Sequence, residues 1–249
     1  MAMLEGKKRE YLEKQMEKAN NSHPESEEAF FKPWRSIFSF IIKTYMKIVY
    51  RSEVVGLENV PEDGSFMASG SHQSFGDVPL LHFTLTGKRR WINWVGRESL
   101  MSNRIAAWLF PALAVIPVDT AQVEPATIKL IFKRIKEGKP IGIFPQGTRC
   151  KTPEAIANTV PKSGSVSFAH RNKIPVLPVG FEGTFKPFTK IKLVIGEPYY
   201  IQPDKKRLTN DEMMAETILL LEKSYALVGK DYPLKNKAEL TGGILEDYA

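Results

Sequence analysis

His72 and Asp77 lie five positions apart in SGSHQSFGDVPLL, a segment that leaves an apolar run, passes through small and polar residues and ends in an Asp-Val-Pro helix start. A histidine in a strand-to-helix loop can give one ring nitrogen to a carboxylate, which fixes its tautomer, and keep the other free to take a proton. Asp77 fits the N-cap of the following helix and Pro79 its first turn. The pair is a Ser-His-Asp triad without its serine, so the nucleophile would be a hydroxyl of the substrate and the group would be transferred directly. Taken alone, the same spacing also describes a loop histidine beside a capping aspartate.

A second group of chemically capable residues follows the apolar run at Ile141 to Phe144, where Gly147, Thr148 and Arg149 form a turn. Such a turn presents backbone amides and a guanidinium at the edge of a sheet, and Arg149 suits a phosphate through paired hydrogen bonds. Gly147 would allow a backbone geometry closed to other residues. The cluster Lys88, Arg89, Arg90 and Trp91, with Trp94 close by, joins cations to aromatics in a way used at membrane interfaces and on nucleic acids. An exposed turn before a strand would look the same. His82 and His170 fall in helical patterns without metal-ligand partners and stay outside the mechanism.

These residues need a scaffold, and from Val54 onward short apolar runs alternate with helical stretches. The strand candidates are Ser65 to Ser69, Ile92 to Val95, Ala114 to Val118, Ile141 to Phe144, Val176 to Gly180 and Lys192 to Ile195. Helical patterns cover Val78 to Leu85, Ser102 to Phe110, Pro125 to Lys136, Gly164 to Arg171 and Thr209 to Leu227. This alternation predicts an α/β domain, a mixed and mostly parallel sheet flanked by helices. The polar tail after Lys230 is expected to be loosely held.

The N-terminal region has a different character. Met3 to Asn20 mixes acids and bases at helical spacing, Asn21 to Glu28 reads as a polar linker, and KPWRSIFSFIIKTYMKIVYR follows. In that segment Arg35, Ser39, Lys43, Lys47 and Arg51 recur every four residues as a polar stripe, and apolar or aromatic residues fill the rest of the circumference. Its longest charge-free stretch runs from Ser36 to Ile42, too short to span a bilayer. A helix lying in the membrane interface fits the pattern; a helix packed on the protein's own core is the alternative, and both can be partly true.

The bulk properties set the limits. With 249 residues, 43% hydrophobic and 25% charged, the chain can bury a sizeable core. Its formal charge of +7 favours an anionic partner without choosing among lipid headgroups, phosphorylated small molecules and nucleic acid. Cys150 is the only cysteine, which rules out an internal disulfide or a thiolate zinc cluster and makes a reducing cytoplasm the natural setting. The densely charged first residues do not read as a secretory signal.

The chain resembles the glycerolipid acyltransferase family that includes the bacterial 1-acylglycerol-3-phosphate acyltransferases, whose hallmark motif is NHQSxxD. Ser71 to Asp77 match it as SHQSFGD. The family's FPEGTRS block appears as FPQGTRC from Phe144 to Cys150, its Val-Pro-rich block as Ile174 to Val179, and its Gly-x-Ile-Pro-Val-Asp-Arg block as Ala114 to Thr120. The resemblance covers roughly Val55 to Pro203, with all four blocks in order.

That resemblance implies His72 as general base, Asp77 as its orienting partner, and Gln146, Gly147, Thr148, Arg149 and Thr120 around the acceptor, to which Arg97 is added as a candidate of its own. It implies a lysophospholipid acceptor, an acyl-CoA or acyl carrier protein donor, no metal or other cofactor, and no nucleic acid. The product would be phosphatidic acid, made from 1-acyl-glycerol-3-phosphate at the sn-2 hydroxyl on the cytoplasmic face of a membrane. The expected organisation is a two-helix membrane-association segment over 1–53, an acyltransferase domain over 54–228 and a tail over 229–249. Trp108, Leu109, Phe110, Leu113 and Val115 are candidates for an acyl groove. Thr120 and Gln146 replace the family's arginine and glutamate, so Arg97, Lys151 or the Lys88-Arg89-Arg90 cluster would have to supply positive charge. A different acceptor, or a catalytically silent membrane-binding relative, stays open as an alternative.

Overall fold

The structure, a computed structural model, describes residues 24–88, 90–101, 103, 106, 110, 113–119 and 123–245. The helix expected over Met3 to Asn20 lies outside them, as do most of the Ser102 to Phe110 helix, Arg89, Thr120, Trp108 and Leu109. Helix α1 spans Pro24–Val49 and so takes in part of the stretch expected to be a linker, with proline at its first position, where a missing N–H is harmless. Strand β1 (Glu53–Val55) follows, then β2 (Met67–Gly70) and α2 (Asp77–Leu85), β3 (Asn93–Arg97) and β4 (Val115–Val118). Helix α3 (Pro125–Lys136), β5 (Ile141–Gly142), α4 (Pro153–Asn158) and α5 (Gly164–Asn172) lead to the hairpin of β6 (Val176–Gly183) and β7 (Ile191–Ile195). The chain ends with α6 (Asn210–Ala226) and α7 (Lys237–Leu240).

The described strands form one sheet in the order β1-β7-β6-β2-β5-β3-β4, parallel throughout except for the antiparallel β6–β7 pair. The expected mixed, mostly parallel α/β sheet is therefore present. Alternation along the central strands explains its layers. Met67 and Val176 pack on one face with Leu130, Ile131 and Leu220, whereas Ala68 and Leu177 pack on the other with Leu80, Leu81 and Leu85. Both faces are dry, which is why these strands read as continuous apolar runs.

Helix α6 is started by a capping box: Thr209 Oγ1 accepts from the Glu212 N–H at 3.2 Å, and Glu212 Oε2 accepts from the Thr209 N–H at 2.8 Å. The described part of the segment after Lys230 is not loose. Tyr232 and Leu234 are buried, and Tyr232 stacks on Tyr225 of α6 at 5.2 Å between ring centroids. The mainly polar composition hid these two anchors. Strand β1 also escaped the sequence reading, since three half-exposed residues leave no periodic signal.

Candidate active site

Three neighbouring parallel strands, β2, β5 and β3, deliver their following residues to the same edge of the sheet. Ligand sites of open α/β sheets form at this carboxyl edge. From β2 comes the loop with His72 and Asp77, from β5 the turn with Gln146 to Arg149, and from the end of β3 comes Arg97.

His72 Nδ1 lies 2.9 Å from Asp77 Oδ2. The same oxygen accepts the backbone N–H groups of Gln73 and Ser74, each at 2.7 Å. Asp77 is the first residue of α2 and Gly76 is the capping residue, so the expected N-cap role does not hold. Its carboxylate turns back into the preceding loop and fixes that loop's shape. Asp77 is completely buried, and the three donors on Oδ2 offset the loss of water around a charge.

With Nδ1 on the carboxylate, Nε2 is the nitrogen left to handle a proton, and the His72 side chain is 16% exposed. The ring stacks almost flat on Phe144, 4.4 Å between centroids and 6° between planes, and Phe144 in turn stacks on Trp94 at 5.2 Å. The β5 segment thus orients the His72 ring from its face while Asp77 orients it from its edge. The backbone is held as well: His72 N–H donates to Gln146 Oε1 at 2.9 Å, and His72 C=O accepts from Cys150 N–H at 2.9 Å.

Gln146 therefore braces the His72 loop and is buried, where a contact with acceptor was expected. Burial pushes the nearby Tyr225 phenol up to about 12; Gln146 is close enough to oppose the rise, and the Asp77 charge adds to it. No bond of good geometry joins Tyr225 to Gln146. Tyr225, 79 residues further along the chain, carried no signal of this proximity in the sequence.

The cations divide into two groups. Arg97 is exposed and donates through Nε and Nη2 to the Gly147 carbonyl at 3.2 and 2.7 Å. Arg149 lies with its guanidinium 3.4 Å from the centre of the exposed Phe75 ring, beside the histidine loop. Gly147 has φ +61°, the geometry foreseen for it, and Thr148 is exposed at the tip of the turn. Arg90 is directed elsewhere: it donates to the Gly64 carbonyl and covers the Phe66 ring at 5.4 Å, at the opposite edge of the sheet, ahead of β2. Arg90 is thus not the source of positive charge for the site, and Arg89 lies outside the described residues.

His82 is buried and accepts from Trp94 Nε1 at 3.2 Å, and His170 Nε2 bonds to the Lys205 carbonyl at 2.9 Å; both are structural. Phe110 and Val115 pack around Met101. Among the described residues no group of three or more His, Cys, Asp or Glu side chains gathers as a metal site.

A family model described as Acyltransferase matches residues 51–182. A 1-acyl-sn-glycerol-3-phosphate acyltransferase of Bacillus subtilis is 32% identical over 170 residues, 66% of this chain and 80% of that protein. A chloroplastic 1-acyl-sn-glycerol-3-phosphate acyltransferase of Brassica napus is 26% identical over 161 residues, 61% of this chain and 44% of that protein. Among solved structures, the 1-acyl-sn-glycerophosphate acyltransferase of Thermotoga maritima superposes with a TM-score of 0.60 at 21% identity, over 86% of each chain. That likeness establishes a shared fold.

Proposed function

The chain belongs to the glycerolipid acyltransferase family, and from that premise we propose that it moves a fatty acyl group from an acyl thioester to the sn-2 hydroxyl of 1-acyl-glycerol-3-phosphate, giving phosphatidic acid. The observation that carries this reading is the His72–Asp77 pair at 2.9 Å, with no enzyme nucleophile needed between His72 Nε2 and a substrate hydroxyl.

In the proposed reaction His72 Nε2 removes the proton of the acceptor hydroxyl as its oxygen bonds to the thioester carbonyl carbon. Asp77, held by Gln73 and Ser74, stabilises the imidazolium that forms. The tetrahedral intermediate collapses with cleavage of the C–S bond, and the departing thiolate takes the proton back from His72. Ester and thiol are the products, so no acyl-enzyme accumulates. Arg97 and Arg149 flank the turn after β5 and would meet the acceptor's phosphate. The donor would be acyl-CoA or acyl carrier protein.

The bilayer side of this reading rests on α1. No described helix is long and apolar enough to cross a membrane. Helix α1 instead packs one face on the protein through Ser39 and Met46 and turns Ile37, Phe40, Ile41 and Ile48 outward, as a helix in the interface of the cytoplasmic leaflet would. Packing on the protein's own core is thus seen for one face, and the membrane interface is what we propose for the other.

A second reading keeps the chemistry and changes the acceptor to another lysolipid or to an alcohol without phosphate. It is favoured by Thr120, which cannot neutralise a phosphate where the family carries arginine. Purified protein given an acceptor panel with acyl-CoA and acyl carrier protein donors, with products identified by mass spectrometry, separates the two. Phosphatidate as the dominant product supports the first; acylation confined to uncharged acceptors supports the second.

A further inference from the structure

The large exposed apolar side chains of α1 continue onto a second element. Ile37, Phe40, Ile41 and Ile48 are all more than half exposed, with Tyr45 close behind, and Lys43 and Lys47 run along one margin of that face. The loop joining β6 to β7 adjoins the end of this helix. The Phe188 N–H donates to Val49 C=O at 2.6 Å, and the Ile191 N–H donates to Tyr50 C=O at 3.1 Å, so hairpin and helix are joined by two backbone bonds.

Two aromatics of the loop have opposite fates. Phe185 meets Tyr50 edge-on at 5.4 Å and lies against Gly76, where a Cβ would come within 2.2 Å of its ring. It anchors the hairpin to the loop that carries His72. Phe188 is 71% exposed at φ +65°, a left-handed conformation that a bulky residue adopts only when its surroundings impose it. The backbone bond to Val49 is what imposes it. A large apolar ring is thereby held out in water on strained backbone, beside the C-terminal end of α1.

The charges around this surface bear on what could cover it. Lys43 and Lys47 lie on α1 and Lys186 in the hairpin loop, while Lys190 is paired with Glu53 at 2.5 Å and Lys192 sits in the sheet opposite both Glu53 of β1 and Glu182 of β6. The balance is positive. A second copy meeting this patch across a two-fold axis would set lysines against lysines, whereas anionic headgroups complement them and acyl chains receive the rings. We propose that the β6–β7 hairpin is a second membrane-contact element, with Phe188 entering the acyl region of an anionic bilayer beside α1 and holding the His72 loop against the lipid. Its purpose rests on the acyltransferase reading above, but the contact is measurable without turnover.

The test uses the full chain and vesicles of phosphatidylcholine with or without phosphatidylglycerol. Phe188→Asp is expected to weaken partitioning onto the anionic vesicles by about tenfold or more, the factor set by burying one phenyl ring. Turnover of a short-chain lysophosphatidate kept below its aggregation threshold should stay unchanged. Because Cys150 is buried, Phe188→Cys can carry a polarity-sensitive dye selectively. That dye is expected to shift blue on anionic vesicles and to be quenched by nitroxides placed on the lipid acyl chains. Wild-type partitioning by Phe188→Asp, or a label that vesicles neither shift nor quench, would overturn the proposal. So would a label that responds to protein concentration alone, which marks a contact between copies, or loss of turnover on the dispersed acceptor, which places Phe188 in the reacting site. If the wild-type chain acylates nothing while the label still enters the bilayer, the contact stands and the catalytic reading fails.

Discussion

The side-chain oxygen of Gln146 accepts the backbone N–H of His72 at 2.9 Å, so the turn after β5 holds the His72 loop after β2 across 74 residues of sequence. A buried N–H that loses such a partner costs about 1–3 kcal/mol. The same loss frees the histidine to move relative to Asp77 and the substrate.

Gln146→Ala is therefore expected to destabilise the protein by about 1–3 kcal/mol in urea unfolding and to lower kcat by more than it changes KM. Gln146→Glu keeps an acceptor oxygen in place and should recover most of kcat. A KM effect in Gln146→Ala with kcat untouched would return Gln146 to the role of an acceptor ligand.

Arg97 is expected to act on the acceptor's phosphate while its contact with the Gly147 carbonyl keeps the turn in place. Arg97→Ala should raise KM for lysophosphatidate about tenfold or more, the scale of a lost charge-assisted hydrogen bond, and should leave KM for an uncharged acceptor little changed. Steady-state kinetics with both acceptors checks this. Equal effects on the two would assign Arg97 to the turn alone.

Phe144 stacks on the His72 ring and also on the Trp94 ring. Phe144→Ala should cost about 3–5 kcal/mol of stability, the usual range for removing a packed aromatic, and should lower kcat in whatever protein remains folded. Phe144→Leu refills part of the space without a flat face, so its stability should recover more than its kcat. Thermal unfolding set beside kcat distinguishes packing from orientation.

The docked C-terminal segment predicts an alkaline limit. Burial raises the phenols of Tyr225, Tyr232 and Tyr199, Tyr225 to about 12, from an ordinary value of 10.0. A raised folded-state pKa means that the unfolded chain releases its protons first. Stability from these groups is whole below pH 10.0 and is lost as pH rises towards about 12. Tyr232→Phe should flatten that decline in unfolding midpoints measured across this window, and an unchanged slope would contradict it.

The His72–Asp77 contact was legible because its geometry is local: both residues share one loop, and five positions suffice to place carboxylate and ring together. The order of the sheet's layers was legible from continuous apolar runs in strands buried on both faces. What escaped depends on neighbours in space. Gln146 looked like an acceptor contact because a polar residue in a binding turn gives no sign that its side chain points inward. Arg90 looked available because its commitment to the Gly64 carbonyl depends on a turn 26 residues earlier. Tyr232 and Leu234 were hidden in a polar tail, since two anchors without a repeat give no periodicity. Asp77 was placed correctly as His72's partner and incorrectly as a cap, because the same carboxylate can serve the helix after it or the loop before it.

The central claim concerns His72 Nε2 as the base that activates an acceptor hydroxyl. Its most direct measurement is the amount of phosphatidate formed from lysophosphatidate and an acyl thioester by purified wild-type protein and by His72→Ala, with circular dichroism verifying that both are folded. The predicted result is product from the wild type and a fall of at least about a hundredfold in the variant, the minimum contribution of a general base. Wild-type turnover by a folded His72→Ala protein would contradict the mechanism.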